Sequence, residues 1–217
     1  MSASGLGYGR YRIGGSDEWL MRIGDPAAPA VLFLPPLFEE LNRTRALMAS
    51  VMRLLAGEGL CCWLPDLPGT GESERALEEV SWEAWREAAR ASVDQPRATV
   101  ALRGGALLDD AVDTTCRWRL APVSGNAVAR DLARAGLMAE GGGGYAPSEA
   151  MITALSAADL GTAARVRTVR LATDRAEADR KVEGPPLWRR SEPQNSSELA
   201  ASVASDILNW MRQCGAC

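Results

Sequence analysis

Arg103 stands at the centre of Thr99–Leu108, TVALRGGALL, where an apolar, strand-like run meets a sharp break and passes into a second apolar run. Ala101 and Gly105, two positions before and two after it, are small, as a tight and strained strand-to-helix turn requires. Enzymes that use such a turn place a nucleophile at its centre. A guanidinium is no nucleophile, but it is a permanently charged planar fork that matches carboxylate or phosphate. Ser124 in PVSG is the next group with chemical capacity, and Glu39, Glu40 and Glu192 lie in the loop segments PPLFEELNR and PLWRRSEP. Buried carboxylates with raised pKa values serve as bases, so a serine with one of these acids is a conceivable hydrolytic set. Each also has a plainer role. Ser124 precedes GNAVARDLARA and suits a helix cap, and Glu39 and Glu40 sit just before a helix, where negative charge is favoured without any function.

The chain has no histidine among its 217 residues. That removes the usual general base of serine and cysteine hydrolases and the commonest metal ligand. Cys61, Cys62 and Cys116 lie in apolar runs and read as small buried hydrophobes. Cys61 and Cys62 are adjacent on a strand and point to opposite faces, so they make no joint ligand pair. Cys214 and Cys217 form one C-x-x-C, which without a second pair or a strand-helix context reads as part of a frayed tail. No metal and no organic cofactor is expected.

The length, 47% hydrophobic residues and a net charge of -4 suit one globular domain over 1–217 with a sizeable core. Basic residues are scattered rather than clustered, which argues against a nucleic-acid partner. No apolar run approaches the ~20 residues of a membrane span, and the N-terminus has no basic region followed by an apolar stretch, so a cytoplasmic protein is expected.

The elements that must position these residues follow from periodicity. YGRYRI and EWLMRI pair as a hairpin around Gly14-Gly15-Ser16. AVLFLPP and LCCWLPDL are continuous apolar runs typical of strands buried on both faces. Residues 43–56 keep a helical period through Leu47, Val51, Leu54 and Leu55. Ser81 caps a helix whose Trp82 and Trp85 anchor the core. ATVALR, CRWRLAPV and RVRTVRLAT are further strands, with a helix expected over 105–113 and a short strand at RKVEG. Residues 136–150, with GGGG at 141–144, read as a flexible remnant of an insertion, and Pro147-Ser148 opens a helix. The last helix is expected to begin near Asn195, with Glu198 at capping-box spacing. A hairpin followed by strand-helix units predicts an α/β fold with a mostly parallel sheet, and ligands in such sheets lie at the carboxyl ends of the strands.

VLFLPP, a helix, LPDLPGTGES and the turn at 99–108 together resemble the α/β-hydrolase superfamily. The segments FLPPLFEELNRTR, ALRGGALL, APVSGNA and GPPLWRRSEP resemble more narrowly the second of two hydrolase families associated with the exosortase A system of bacterial exopolysaccharide and protein-sorting loci. The resemblance spans nearly the whole chain. It implies about eight strands with an antiparallel N-terminal hairpin, flanking helices and a reduced cap, and it implies that Arg103 occupies the nucleophile position. It also implies that the backbone N–H groups of Gly104 and of Leu37 or Phe38 stand where an oxyanion hole would be, and that Asp174 stands where the acid would follow a strand. The base would come from the loop before the last helix, PPLWRRSEPQNSS, which has none. A Ser-His-acid triad cannot be built from this chain alone. DLPGTGES is no phosphate-binding loop, since it lacks the Gly-Lys-Ser/Thr ending. Asp66 and Ser73 are expected to brace it.

Three functions follow. The former active site binds a small anionic molecule through Arg103 at a helix N-terminus, with Gly104, Leu37, Phe38, Glu40, Ser124, Trp188 and Glu192 around it. The plainer reading of Arg103 is an ion pair with Glu39, Glu40 or Glu192 that locks these loops. The second function is an esterase- or thioesterase-type hydrolase that works through Ser124 and the loop carboxylates. The third is a regulatory pseudo-enzyme that binds another protein of the same locus.

Overall fold

The computed structural model describes residues 5–134, 147–162 and 165–216. Eight strands form one sheet: β1 (Leu6–Ile13), β2 (Ser16–Ile23), β3 (Ala30–Leu34), β4 (Cys61–Pro65), β5 (Ala98–Leu102), β6 (Arg117–Leu120), β7 (Val166–Leu171) and β8 (Arg180–Val182). Their order is β1-β2-β4-β3-β5-β6-β7-β8. The β1–β2 hairpin runs antiparallel and joins β4 antiparallel, and all other pairings are parallel. Gly14 and Gly15 both take positive φ, which lets a two-residue turn match the twist of the hairpin.

Side-chain alternation divides the core between the two faces of the sheet. Val31, Phe33, Val100 and Leu102 pack with α1 (Glu39–Gly57) and α5 (Ser197–Cys214). Leu32, Leu34 and Ala101 face α2 (Trp82–Ala91) and α4 (Glu149–Ala157). Trp85 is wholly buried on that second face, and its indole N–H donates to the Pro68 carbonyl at 2.8 Å, tying α2 to the loop after β4. Ser81 caps α2 and Ser148 caps α4, each accepting from the backbone three residues on. α3 (Gly125–Arg134) lies beyond β6. The GGGG run and residues 136–146 of the expected insertion lie outside the described residues.

The helix expected over 105–113 is not there. Arg103–Leu107 and Asp109–Ala111 form two short 3-10 turns. Adjacent glycines at 104 and 105 each cost a helix about 1 kcal/mol relative to alanine. Asp109 is also pulled down onto β6, where its carboxylate takes both forks of Arg119 at 2.7 Å with both side chains buried. Arg103 therefore opens a five-residue 3-10 turn rather than an α-helix, and the dipole there is that of a single short turn.

Two helix starts also move. α1 begins at Glu39 rather than 43, which puts Glu39 and Glu40 inside its first turn. α5 is capped by Ser196, whose Oγ accepts from Leu199 N–H, while the Asn195 amide donates to Ser50 on α1 and so is not the cap. At the other end, Gly215 in the left-handed region closes α5, and Ala216 bonds back to Met211 and is buried, so the tail is packed rather than frayed through 216. Cys217 lies outside the described residues.

Candidate functional site: an arginine at the strained turn

The turn after β5 keeps the backbone of a nucleophile elbow. Arg103 has φ 52°, a left-handed conformation that costs a branched or bulky residue of order 1–3 kcal/mol. Gly105 is required because a Cβ there would run into the carbonyl oxygens of Leu34 and Pro35 at the end of β3. Gly104 is looser, since its nearest obstacle is the Leu37 side chain at 3.0 Å.

The Arg103 side chain folds back over the strand ends and meets Glu40. Its Nε lies 3.1 Å from one Glu40 carboxylate oxygen and 3.2 Å from the other, and Nη2 donates to Oε1 at 3.0 Å. Nη1 donates to the Ala121 carbonyl at 3.3 Å, and the guanidinium lies 5.1 Å from the ring centre of Trp188. Only 9% of Arg103 is exposed. Of the three acids that the sequence offered as partners, Glu40 is the one that pairs. Glu39 sits 3.8 Å from Arg43 instead, and Glu192 is exposed. Phe38, Arg103 and Ala121 are three of the four non-glycine residues with positive φ among the described residues, the fourth being Gln95. Backbone strain is thus gathered around one ion pair: Phe38 leads into the helix that carries Glu40, and Ala121 supplies the carbonyl that Arg103 reaches.

A cavity of about 530 Å³ opens beside the pair at the carboxyl ends of the strands. Leu37, Phe38, Val128, Leu132 and Trp188 give it apolar walls, Gly104 reaches its floor, and Arg103, Glu40 and Glu39 border it. The Trp188 wall is held by the Arg43 guanidinium, which donates to the Trp188 carbonyl at 3.2 Å. Of the expected site residues, the fold brings Leu37, Phe38, Glu39, Glu40, Arg103, Gly104 and Trp188 together. It leaves Ser124 and Glu192 off the lining. Ser124 is exposed, and its Oγ accepts from Ala127 N–H at 3.3 Å, the capping role. Asp174 is occupied as well. The Ala176 N–H and then the Arg170 guanidinium, 2.9 Å away, hold its carboxyl below the usual range.

The loop after β4 is braced as expected. Asp66 accepts from Glu72 N–H at 3.0 Å and faces Arg45 at 3.3 Å, and burial pushes its carboxyl up despite both. Ser73 Oγ accepts from Gly69 N–H at 2.8 Å. Among the described residues no three of His, Cys, Asp and Glu come together in a way that would hold a metal ion. Arg43, Val128, Asp131, Leu132, Arg134 and Arg189 also line the cavity, beyond the residues that the sequence motifs pointed to. Arg189 had a signal, as the neighbour of Trp188 in PLWRR. The α3 pair Val128 and Leu132 had only helical spacing, and spacing does not say which cavity a face overlooks.

Strand order, the antiparallel N-terminal hairpin and the strained turn after β5 define an α/β-hydrolase fold. Solved structures similar to this chain have the same fold. One is the α/β-hydrolase domain-containing protein 10 from mouse, 12% identical, with a TM-score of 0.63 over 97% of this chain and 99% of that one. Others are a putative hydrolase from Agrobacterium vitis S4, 14% identical at a TM-score of 0.57 over 95% and 98%, and the thioesterase domain from the curacin biosynthetic pathway, 16% identical at 0.56 over 94% and 99%. A Vigna radiata epoxide hydrolase mutant is matched over 53% of this chain and only 38% of its own length, at 19% identity and a TM-score of 0.43. No protein-family model and no curated protein matches the chain.

Proposed function

We propose that the chain binds a small molecule with an acidic group and an apolar body in the cavity beside Arg103, and that it does not hydrolyse it. The observation that carries this reading is the cavity itself: a concave space at the carboxyl ends of a parallel sheet, walled by apolar side chains and bordered by four arginines against three acids. With no histidine in the chain, with the nucleophile position held by an arginine already paired to Glu40, and with Ser124 serving as a cap, the residues support recognition better than acyl transfer. The Arg103–Glu40 pair takes the part of a neutral, rigid floor rather than of an anion receptor. The segments PPLFEELNRTR, APVSG and PLWRRSEP support placing the chain with the exosortase-associated hydrolases. Among the described residues no helix is long and apolar enough to cross a membrane.

A thermal-shift screen of the full chain against carboxylates, phosphate esters and their neutral analogues tests binding, and an ester and thioester panel tests hydrolysis. The expected result is a larger rise in Tm with anionic members than with their neutral analogues, and no turnover above background. Turnover that is lost in Ser124→Ala would overturn the reading in favour of the hydrolase.

A further inference from the structure

Among the described residues, the charges bordering the cavity are matched one to one except at a single place. Glu40 holds Arg103, Glu39 lies 3.8 Å from Arg43, and Asp131 lies 3.3 Å from Arg134. Arg189 is the fourth lining arginine. It is exposed, and its side chain has no hydrogen-bond, ion-pair or ring partner among the described residues. Among the described residues, the one lining arginine without a charged partner is therefore the exposed Arg189, not the buried Arg103.

We propose that Arg189, not Arg103, receives the anionic group, and that the ligand is an amphipathic monocarboxylate whose apolar chain lies against Trp188, Phe38 and Leu132. This rests on the reading that the cavity binds an anion. A carboxylate brought to Arg103 would meet the Glu40 charge on the same guanidinium, and displacing Glu40 would strand that acid in a half-buried position. Arg189 requires neither. One turn, Leu187–Arg189, carries both the cation and the apolar wall. Its position is fixed by the Arg43 bond to the Trp188 carbonyl and by Arg103 over the Trp188 ring. Head and tail are thus ordered by adjacent residues. A single unmatched charge suits a monoanion, because a phosphate dianion would leave one negative charge uncompensated.

The test titrates the full chain with octanoate and with its neutral isostere octanamide, read by calorimetry. Octanoate is expected to bind several-fold tighter. In Arg189→Gln, at an exposed position, its affinity should fall about three- to fivefold, the size of a solvent-screened ion pair, and meet that of octanamide, which stays unchanged. Val128→Trp, on the half-buried face of α3, should block both ligands by filling the cavity. An undiminished octanoate preference in Arg189→Gln, with Val128→Trp still blocking, overturns the assignment to Arg189 and leaves the cavity reading standing. No octanoate binding, or binding that survives Val128→Trp, overturns the cavity reading and this inference with it.

Discussion

Arg103 and Glu40, 63 residues apart, close on each other where a hydrolase would hold its nucleophile, with Arg103 Nε and Nη2 both within 3.2 Å of the Glu40 carboxylate. The pair joins the strained turn after β5 to the first turn of α1. It leaves the charge at the elbow paired inside the protein.

Breaking the pair from one side should be costly. Removing one partner of a fully buried pair costs about 3–5 kcal/mol. The side chains of Arg103 and Glu40 are 10% and 23% exposed, so solvent screening reduces the expected loss for Glu40→Gln to about 2 kcal/mol. Urea unfolding should show that loss as a lower midpoint at unchanged slope. The double variant Arg103→Met/Glu40→Leu should recover most of it, since apolar replacement of both partners is often neutral. A double variant no more stable than the single one would mean that the pair does more than neutralise itself.

The turn makes a sharper claim about its two glycines. Gly105→Ala drives a Cβ into two backbone carbonyls that belong to the end of β3 and cannot move independently, so it should lower stability by about 3 kcal/mol or prevent folding. Gly104→Ala meets a Leu37 side chain that can shift and keeps an ordinary φ, so it should cost only about 1 kcal/mol. Equal effects measured by thermal unfolding would contradict the elbow geometry.

These positions show what was legible in the sequence. The apolar strand runs and the Gly14-Gly15 turn are local signals that led to the right elements, and the small residues around Arg103 marked the tight turn but not the 3-10 segment that follows it. The partner of Arg103 was not legible, because Glu39, Glu40 and Glu192 are equivalent until α1 starts at 39 and sets which acid points at β5. The missing helix after β5 was hidden for a related reason. Asp109 looks like a surface acid in the sequence, and only Arg119 on the neighbouring strand turns it into a buried anchor. The role of Arg189 was not legible in the sequence, because an unmatched charge is defined by its surroundings, and they come from three separate segments.

Asp206 should govern much of the acid limb of stability. It is buried on α5, accepts from Trp118 Nε1 at 2.8 Å, from Arg167 at 2.7 and 2.9 Å, and from Arg180 at 2.7 Å. Burial alone would raise its pKa, but the bonds from Arg167, Trp118 and Arg180 outweigh it and hold the carboxyl below the usual value. Because the folded-state pKa is the lower one, Asp206 stabilises the fold above its unfolded pKa of about 4, and that contribution is lost as pH falls through the folded value. Asp206→Asn should therefore lower stability at pH 7 by about 3 kcal/mol and flatten its decline below about pH 4. A variant whose acid limb keeps the slope of the parent protein would show that other carboxyls carry it.

Ser124 separates recognition from hydrolysis most directly. Its Oγ caps α3 through Ala127 N–H and lies off the cavity. Loss of a capping serine costs about 1 kcal/mol, which in a chain of 217 residues lowers Tm by about 2–4 °C. Ser124→Ala should show that shift by calorimetry while leaving octanoate affinity and the background ester rate unchanged. A serine that acted as nucleophile would give the reverse pattern, with little change in Tm and loss of all turnover, so the two measurements on one variant distinguish a cap from a catalyst.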